Sequence, residues 1–218
     1  EYALPYEKLI VKAAMDKEKR QKGWMTRIHP ITLSTGRVLL PLYSDGYNIS
    51  LLGISDDNGH TWKSSKPIVG FGPVQPALLE KKDGTIVAYM RDNGNAPYKI
   101  LVSESPDQGE SWTFATDTNI LNPGSSIDAI VLKNGHWAMI YNDTDDSRSS
   151  WAVSLSIDEG KTWKWTRHIG QSPDKSESYS YPSMIQTKDG MIQISYSYKN
   201  KKGKTILHAS FNEEWIKK

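Results

Sequence analysis

Short apolar runs separated by polar turns set the rhythm of this chain. From Trp24 onward they recur in groups of three. The first group is Arg27 to Ile31, Val38 to Tyr43 and Ile49 to Ile54, and the second is Gln75 to Leu79, Ile86 to Arg91 and Lys99 to Val102. The third is Ile127 to Val131, Trp137 to Tyr141 and Trp151 to Leu155. The fourth is Tyr181 to Ile185, Ile192 to Tyr198 and Thr205 to Phe211, followed by Trp215. Runs of this length, bounded by Gly, Pro, Asn and Asp, predict strands. The first two runs of each group are joined by Thr35-Gly36, Asp83-Gly84, Asn134-Gly135 and Asp189-Gly190. Asn-Gly and Asp-Gly pairs predict type I′ hairpins. Each group therefore predicts an antiparallel meander of up to four strands, which is one propeller blade. Residues 1–23 depart from this rhythm. Tyr6 to Lys22 is rich in Lys, Glu, Ala, Leu and Met with no Gly or Pro before Gly23, which predicts a short surface helix with Lys17 to Lys22 as a solvated face.

In the first three groups the third run ends in a repeated octet. It reads Ser55-Asp56-Asp57-Asn58-Gly59-His60-Thr61-Trp62, then Ser105 to Trp112, then Ser156 to Trp163. Ser stands first, Asp third, Gly fifth, Ser or Thr seventh and Trp eighth. The opening serines at 55, 105 and 156 keep a period near 50 residues, the mark of an array of one supersecondary unit. Asp can accept hydrogen bonds from its own turn, and Gly can take a positive φ without steric cost. The octet is thus expected to clip two strands together. It lacks the spread of oxygen ligands that calcium requires.

Composition narrows the picture. The 218 residues suffice for one domain with a sizeable core. Eight Trp and eleven Tyr favour strands over a leucine-rich bundle. A net charge of +2 advertises no polyanion surface, so no nucleic-acid partner is expected. Without Cys there is neither a disulfide nor a thiolate metal site, and no His–carboxylate cluster has metal-ligand spacing, so no metal or cofactor is expected. No apolar run approaches a membrane span, and no signal peptide is visible. The blades are placed at 24–66, 74–115, 123–166 and 180–215, after a helical lead-in over 1–23.

The octet S-x-D-x-G-x-[TS]-W is identified as the Asp-box, or bacterial neuraminidase repeat, and the chain resembles the sialidase superfamily of β-propellers. That resemblance implies an all-β, sialidase-like β-propeller of which about four of six blades are present, with a short N-terminal helix. A part-propeller would expose sheet faces and so self-associate or meet its missing N-terminal blades. The chain looks closer to a sialidase-like group that carries G-x-x-Q-P, M-R-D-N-G, N-P-x-S, Y-N-D and S-Y-P-S, here Gly72 to Pro76, Met90 to Gly94, Asn122 to Ser125, Tyr141 to Asp143 and Ser180 to Ser183. The resemblance also implies a secreted or periplasmic location and a glycan substrate.

Residues just before the innermost strand and just after the second strand of each blade should reach the ligand. They include Arg27, His29, Asp45, Gln75, Arg91, Asp128 and Asn142, with Arg148 in the following loop. On the sialidase pattern, Arg91 and Arg148 would hold a substrate carboxylate and Tyr181 would be the nucleophile, while the family's first arginine and its acid/base Asp would belong to the missing early blades; Arg27 is a further candidate to hold the carboxylate. The family's activating Glu falls where this chain has Gln75, which cannot act as a base, so Glu177 is the candidate in its place. A tyrosine nucleophile suits a substrate whose own carboxylate would repel a carboxylate nucleophile. Arginine suits that carboxylate because its fork makes two parallel bonds. The expected function is removal of a terminal anionic sugar by an exo-acting glycoside hydrolase. The rival readings are a glycan-binding propeller without turnover, for which Gln75 argues, and a uronate polysaccharide lyase or hydrolase with His29 or Tyr181 as base.

Overall fold

The structure, a computed structural model, describes residues 3–218, with side chains described from residue 7 onward. It is all-β with short helices. Four antiparallel sheets follow one another along the chain. The first contains β1 (Ile31–Thr32), β2 (Val38–Ser44), β3 (Ile49–Ser55) and β4 (Lys63–Ser64). The second contains β5 (Pro73–Glu80), β6 (Ile86–Asp92), β7 (Lys99–Ser105) and β8 (Thr116–Leu121), and the third β9 (Asp128–Val131), β10 (Trp137–Tyr141), β11 (Ser150–Ser156) and β12 (Trp165–Gln171). The fourth has three strands, β13 (Ser178–Gln186), β14 (Ile192–Asn200) and β15 (Gly203–Phe211). In every sheet the strands lie in chain order, the meander of a propeller blade.

The outer strands β8 and β12 run past the ends expected at 115 and 166. In the first blade the innermost strand begins at Ile31 rather than Arg27. Pro30 has no N–H to give a ladder, and the chain before it touches the sheet through the Met25–Tyr43 bridge. The hairpins are also not of type I′. Gly36, Gly84, Gly135 and Gly190 take positive φ, but the residues before them do not. The glycine N–H bonds back three residues, to Leu33, Lys81, Leu132 and Thr187, whose own N–H groups bond across to residues 37, 85, 136 and 191. This is a type I turn closed by a left-handed glycine. Asp83, Asn134 and Asp189 sit before the glycine because their side-chain oxygens accept the N–H two residues on.

The N-terminal helix is broken into α1 (Ala3–Met15) and α2 (Lys17–Gln21). Asp16 is extended between them, and its Oδ1 accepts from Glu18 N at 2.9 Å and Lys19 N at 3.2 Å, capping the second helix. Trp215, expected at a strand end, lies instead in α3 (Glu213–Lys217), capped by Asn212.

The three Asp-boxes are superimposable in their bonding. The Ser hydroxyl donates to the Asp carboxylate at 2.8 Å and accepts from the Gly N–H at 2.8 Å in each. The same carboxylate accepts from the backbone N–H and hydroxyl of Thr61, Ser111 or Thr162. Besides the glycine, the fourth residue (Asn58, Gln108, Glu159) also takes positive φ. The hydrogen bonds from Thr61 and Ser55 hold the Asp57 carboxyl down at about 2. A Gly-less relative, not seen in the sequence, occurs at Ser172-Pro173-Asp174-Lys175-Ser176. There Asp174 accepts from Ser172 and Ser176, and Lys175 takes the left-handed conformation.

The chain forms two compact units, residues 1–96 with 101–118, and 97–100 with 119–218. The first has a core of Leu39, Leu52, Ile54, Leu78, Ile86 and Met90 with their neighbours. The second is built around Trp151, Ile140, Val153, Met184, Ile192 and Ile194. In that unit β10 and β11 are buried along their whole length, whereas β13 buries alternate residues. The middle two strands of the third blade are thus covered on both faces and the innermost strand of the fourth, β13, on one.

Candidate functional site

In the first unit the predicted ligand residues lie around two loops. Gly72 and Gly94 bring these loops into contact. A Cβ on Gly72 would stand 2.5 Å from Gly94 N, and one on Gly94 would stand 2.3 Å from Phe71 O. Asp92 Oδ1 accepts from Gly94 N at 2.7 Å, Asn93 N donates to Gly72 O at 2.9 Å, and Asn93 Nδ2 donates to Asn48 Oδ1 at 2.6 Å. Two of the signature motifs are therefore a clasp between loops. The clasp presents Gln75 and Arg91 on paired strands, since Val74 faces Arg91 in the ladder. Arg91 Nη2 reaches Asn93 Oδ1 at 3.3 Å. Gln75 is buried and takes a φ of +60° beside a bulge in β5. Arg27 and His29 are half-buried in the irregular segment before β1, and Asp45 is exposed in the β2–β3 turn.

In the second unit the predicted residues divide sharply. Asn142 is fully buried: its amide donates to Ser150 O at 2.8 Å and Tyr179 O at 3.2 Å, and its oxygen accepts from Ser125 Oγ at 2.6 Å. Ser125 is in turn held by Asn122 Oδ1. The N-P-x-S and Y-N-D signatures are a buried polar knot. Asp128 is also buried, with its two oxygens accepting from Ala129 N at 2.8 Å and Met184 N at 2.7 Å, which ties β9 to β13. The geometry gives both residues structural tasks, although each was expected to face a ligand.

Arg148, Tyr181 and Tyr198 come together, joined by Lys199, Lys204 and Ser197, in a cleft of about 560 Å³. The Arg148 guanidinium lies 5.7 Å from the centre of the Tyr181 ring. Arg148 sits two to five residues from three aspartates, two of which are used elsewhere: Asp143 takes His168 at 2.7 Å and Asp146 takes Lys175 at 2.7 Å. No described carboxylate forms an ion pair with Arg148, which is half-buried. Tyr181 is 46% exposed and takes a φ of +56° at a bulge in β13. Gln75-Pro76 and Tyr181-Pro182 thus share one device, a left-handed residue before proline at a strand bulge. Strained side chains of this kind collect where a residue must be aimed.

Glu177 lies close by, but not as expected. Its Oε2 accepts from Tyr179 at 2.6 Å and its Oε1 from Tyr198. These two hydrogen bonds, Tyr179's first, hold the Glu177 carboxyl below its usual range. The Glu177 bond in turn pushes the Tyr198 phenol up. The Asp174 turn positions this glutamate, because Ser172 Oγ accepts from Glu177 N at 3.1 Å. Tyr179 stacks on Trp151 at 6.4 Å and packs against Tyr198 at 5.6 Å, so one edge of the pair is a rigid aromatic wall. The tyrosine–carboxylate pair at the cleft is therefore Tyr198–Glu177, with Tyr198 lining the cleft and Glu177 outside its lining. The pairing of Tyr198 with Tyr179 across β13 and β14 brings Tyr198 to Glu177. Among the described residues no cluster of His, Cys, Asp and Glu could hold a metal, and no helix is long and apolar enough to cross a membrane.

Asp-box blades with a cationic, tyrosine-bearing cleft define a propeller-type protein of the sialidase-like class. The chain belongs to the BNR repeat-like domain family, whose model matches residues 23–194. It is similar to the anhydrosialidase of Macrobdella decora, 25% identical over 207 residues, covering 80% of this chain and 25% of that protein. It is also similar to the sialidase of Micromonospora viridifaciens, 26% identical over 172 residues, covering 74% of this chain and 25% of that protein. Thus the chain spans about a quarter of the length of these curated relatives. Among solved structures, the intramolecular trans-sialidase of Ruminococcus gnavus has the same fold, with a TM-score of 0.71 at 20% identity over 87% of this chain and 44% of that one.

Proposed function

We propose that the second unit carries the reacting part of a sialidase-like exo-glycosidase site for a terminal acidic sugar. The observation that supports it is the cleft itself, where Arg148, in no ion pair with a described carboxylate, lies over the Tyr181 ring and shares the cleft with Tyr198, whose hydroxyl is hydrogen-bonded to Glu177. Arg148 binds the sugar carboxylate. Glu177 takes the phenolic proton as the Tyr198 oxygen bonds to the anomeric carbon, and the glycosidic bond breaks with its electrons going to the leaving oxygen. Tyr181 forms the exposed wall beneath the guanidinium. Water then releases the sugar from the tyrosine. A location outside the cytoplasm fits a glycan substrate of this kind.

The test is release of fluorophore from an aryl sialoside, whose aryloxide needs no proton to leave. Wild type, Tyr181→Phe, Tyr198→Phe and Glu177→Gln are compared. Loss of release in Tyr198→Phe and Glu177→Gln is expected, with a smaller loss in Tyr181→Phe. The reverse order would return the nucleophile's role to Tyr181, and equal release by all four would remove this cleft from the reaction. Gln75, standing where the resembling family has its glutamate, favours a second reading, a glycan-binding blade pair without turnover. Binding of sialic acid with no release would support that reading.

A further inference from the structure

The cleft contains more positive charge than one carboxylate needs. Lys199 on β14 and Lys204 on β15 are direct cross-strand partners, and both line it along with Arg148. Directly opposed residues share a face with their Cβ atoms close together, so two like charges there repel. No Asp or Glu lines the cleft. No described carboxylate forms an ion pair with either lysine, and the nearby acids are engaged elsewhere. Glu177 holds two tyrosines, Asp174 is held by Ser172 and Ser176, and Asp146 is paired with Lys175. Ser178 is the β13 partner of Lys199, so a hydroxyl and two ammonium groups form one row across the sheet. Such a row offers donors to several oxygens of one anionic group. The cleft, at about 560 Å³, is within the range that accommodates ligands much larger than a carboxylate.

We propose that this row is a second anion subsite, and that the preferred ligand is an acidic glycan with two anionic groups. The terminal sugar carboxylate sits at Arg148, and a sulfate or carboxylate on the neighbouring sugar sits between Lys199 and Lys204. The proposal rests on the reading of this cleft as the glycan site. The simpler role for a lysine on an edge strand, as Lys204 is on β15, is to discourage pairing with another sheet. That role predicts no preference among glycans.

The experiment is calorimetric titration of the full chain at low ionic strength with three probes: sialyllactose, disialyllactose and sulfated sialyllactose. Wild type, Lys199→Gln/Lys204→Gln and Arg148→Gln are compared. About tenfold tighter binding of the doubly charged probes by wild type is expected, shrinking as salt is raised. In the double lysine variant the three probes should fall within twofold of one another. Its melting temperature should stay level or rise, because a repulsive pair has been removed. The ratio between the two doubly charged probes tells whether sulfate or carboxylate is the second group. Equal binding of all probes by wild type, or a preference surviving in the double variant, overturns the subsite. If Arg148→Gln also abolishes binding, the cleft reading stands alone. If wild type binds none of the probes, both fall.

Discussion

Asn142→Ala separates a structural role from a ligand role most directly. The side chain is fully buried and makes three hydrogen bonds, to Ser150 O, Tyr179 O and Ser125 Oγ. Truncation leaves two carbonyls and a hydroxyl without these partners, in a site closed to solvent. Each buried group so left costs about 1 kcal/mol or more, and the missing amide also leaves a small cavity. The sum is about 3–5 kcal/mol, against a total stability of about 5–15 kcal/mol for a typical domain. With a urea m-value of about 2.5 kcal/mol/M, the unfolding midpoint of the unit that carries Asn142 should fall by about 1.5 M with m unchanged. Urea titration followed by tryptophan fluorescence reads this directly. Asn142→Asp extends the test. A carboxylate there faces two carbonyl oxygens, and burial raises its folded pKa, so its penalty is present above that pKa and lifts as pH falls. A midpoint within about 0.3 M of wild type, together with lost glycan binding, would refute the reasoning and return Asn142 to the ligand.

Other outcomes follow from the same geometry. The Asp57 and Asp107 carboxyls are held at about 2 rather than 3.8; for Asp107 burial opposes the shift but the Ser111 and Ser105 bonds outweigh it. Their folded pKa values are depressed, so the stability they add is present above 3.8 and lost as pH falls towards 2. Acid titration by circular dichroism should show a transition in that window that is flatter in Asp57→Asn/Asp107→Asn, and an unchanged acid limb would count against it. Gly36 and Gly72 both have φ near +90°, but a Cβ on Gly36 meets nothing within 4 Å, whereas one on Gly72 meets backbone at 2.5 Å. Gly36→Ala should cost about 1–2 kcal/mol, and Gly72→Ala should melt well below it; equal melting temperatures would sink the clasp. Asp16→Ala should lose about 1 kcal/mol of local helix stability, seen as faster amide exchange at Glu18 and Lys19 and no change in the blades.

The sequence by itself determined the repeat. Ser, Asp, Gly and a hydroxyl at fixed places in each octet bond to one another within eight residues, so local chemistry settles the turn wherever the chain puts it. The strands around Val38, Ile86, Trp137 and Ile192 were legible for the same reason, because a short apolar run between turn residues has few other uses. The break at Asp16 and the Gly-less turn at Asp174 follow local rules too, but with weaker signals. What the side chains near the cleft do was decided by tertiary structure. Asn142 looks like a ligand contact in a linear reading, because polar residues beside strands usually face water. The fold buries Asn122 and Asn142 against each other and uses Asn93 to lock two loops. Glu177 sits four residues before Tyr181 in the chain, yet it bonds to Tyr179 and to Tyr198 on the neighbouring strand. Strand register brings Tyr198 to it, and a bulge with a left-handed residue turns Tyr181 to one side. Hydrogen bonds between strands depend on register, and register is fixed by the packed sheet as a whole.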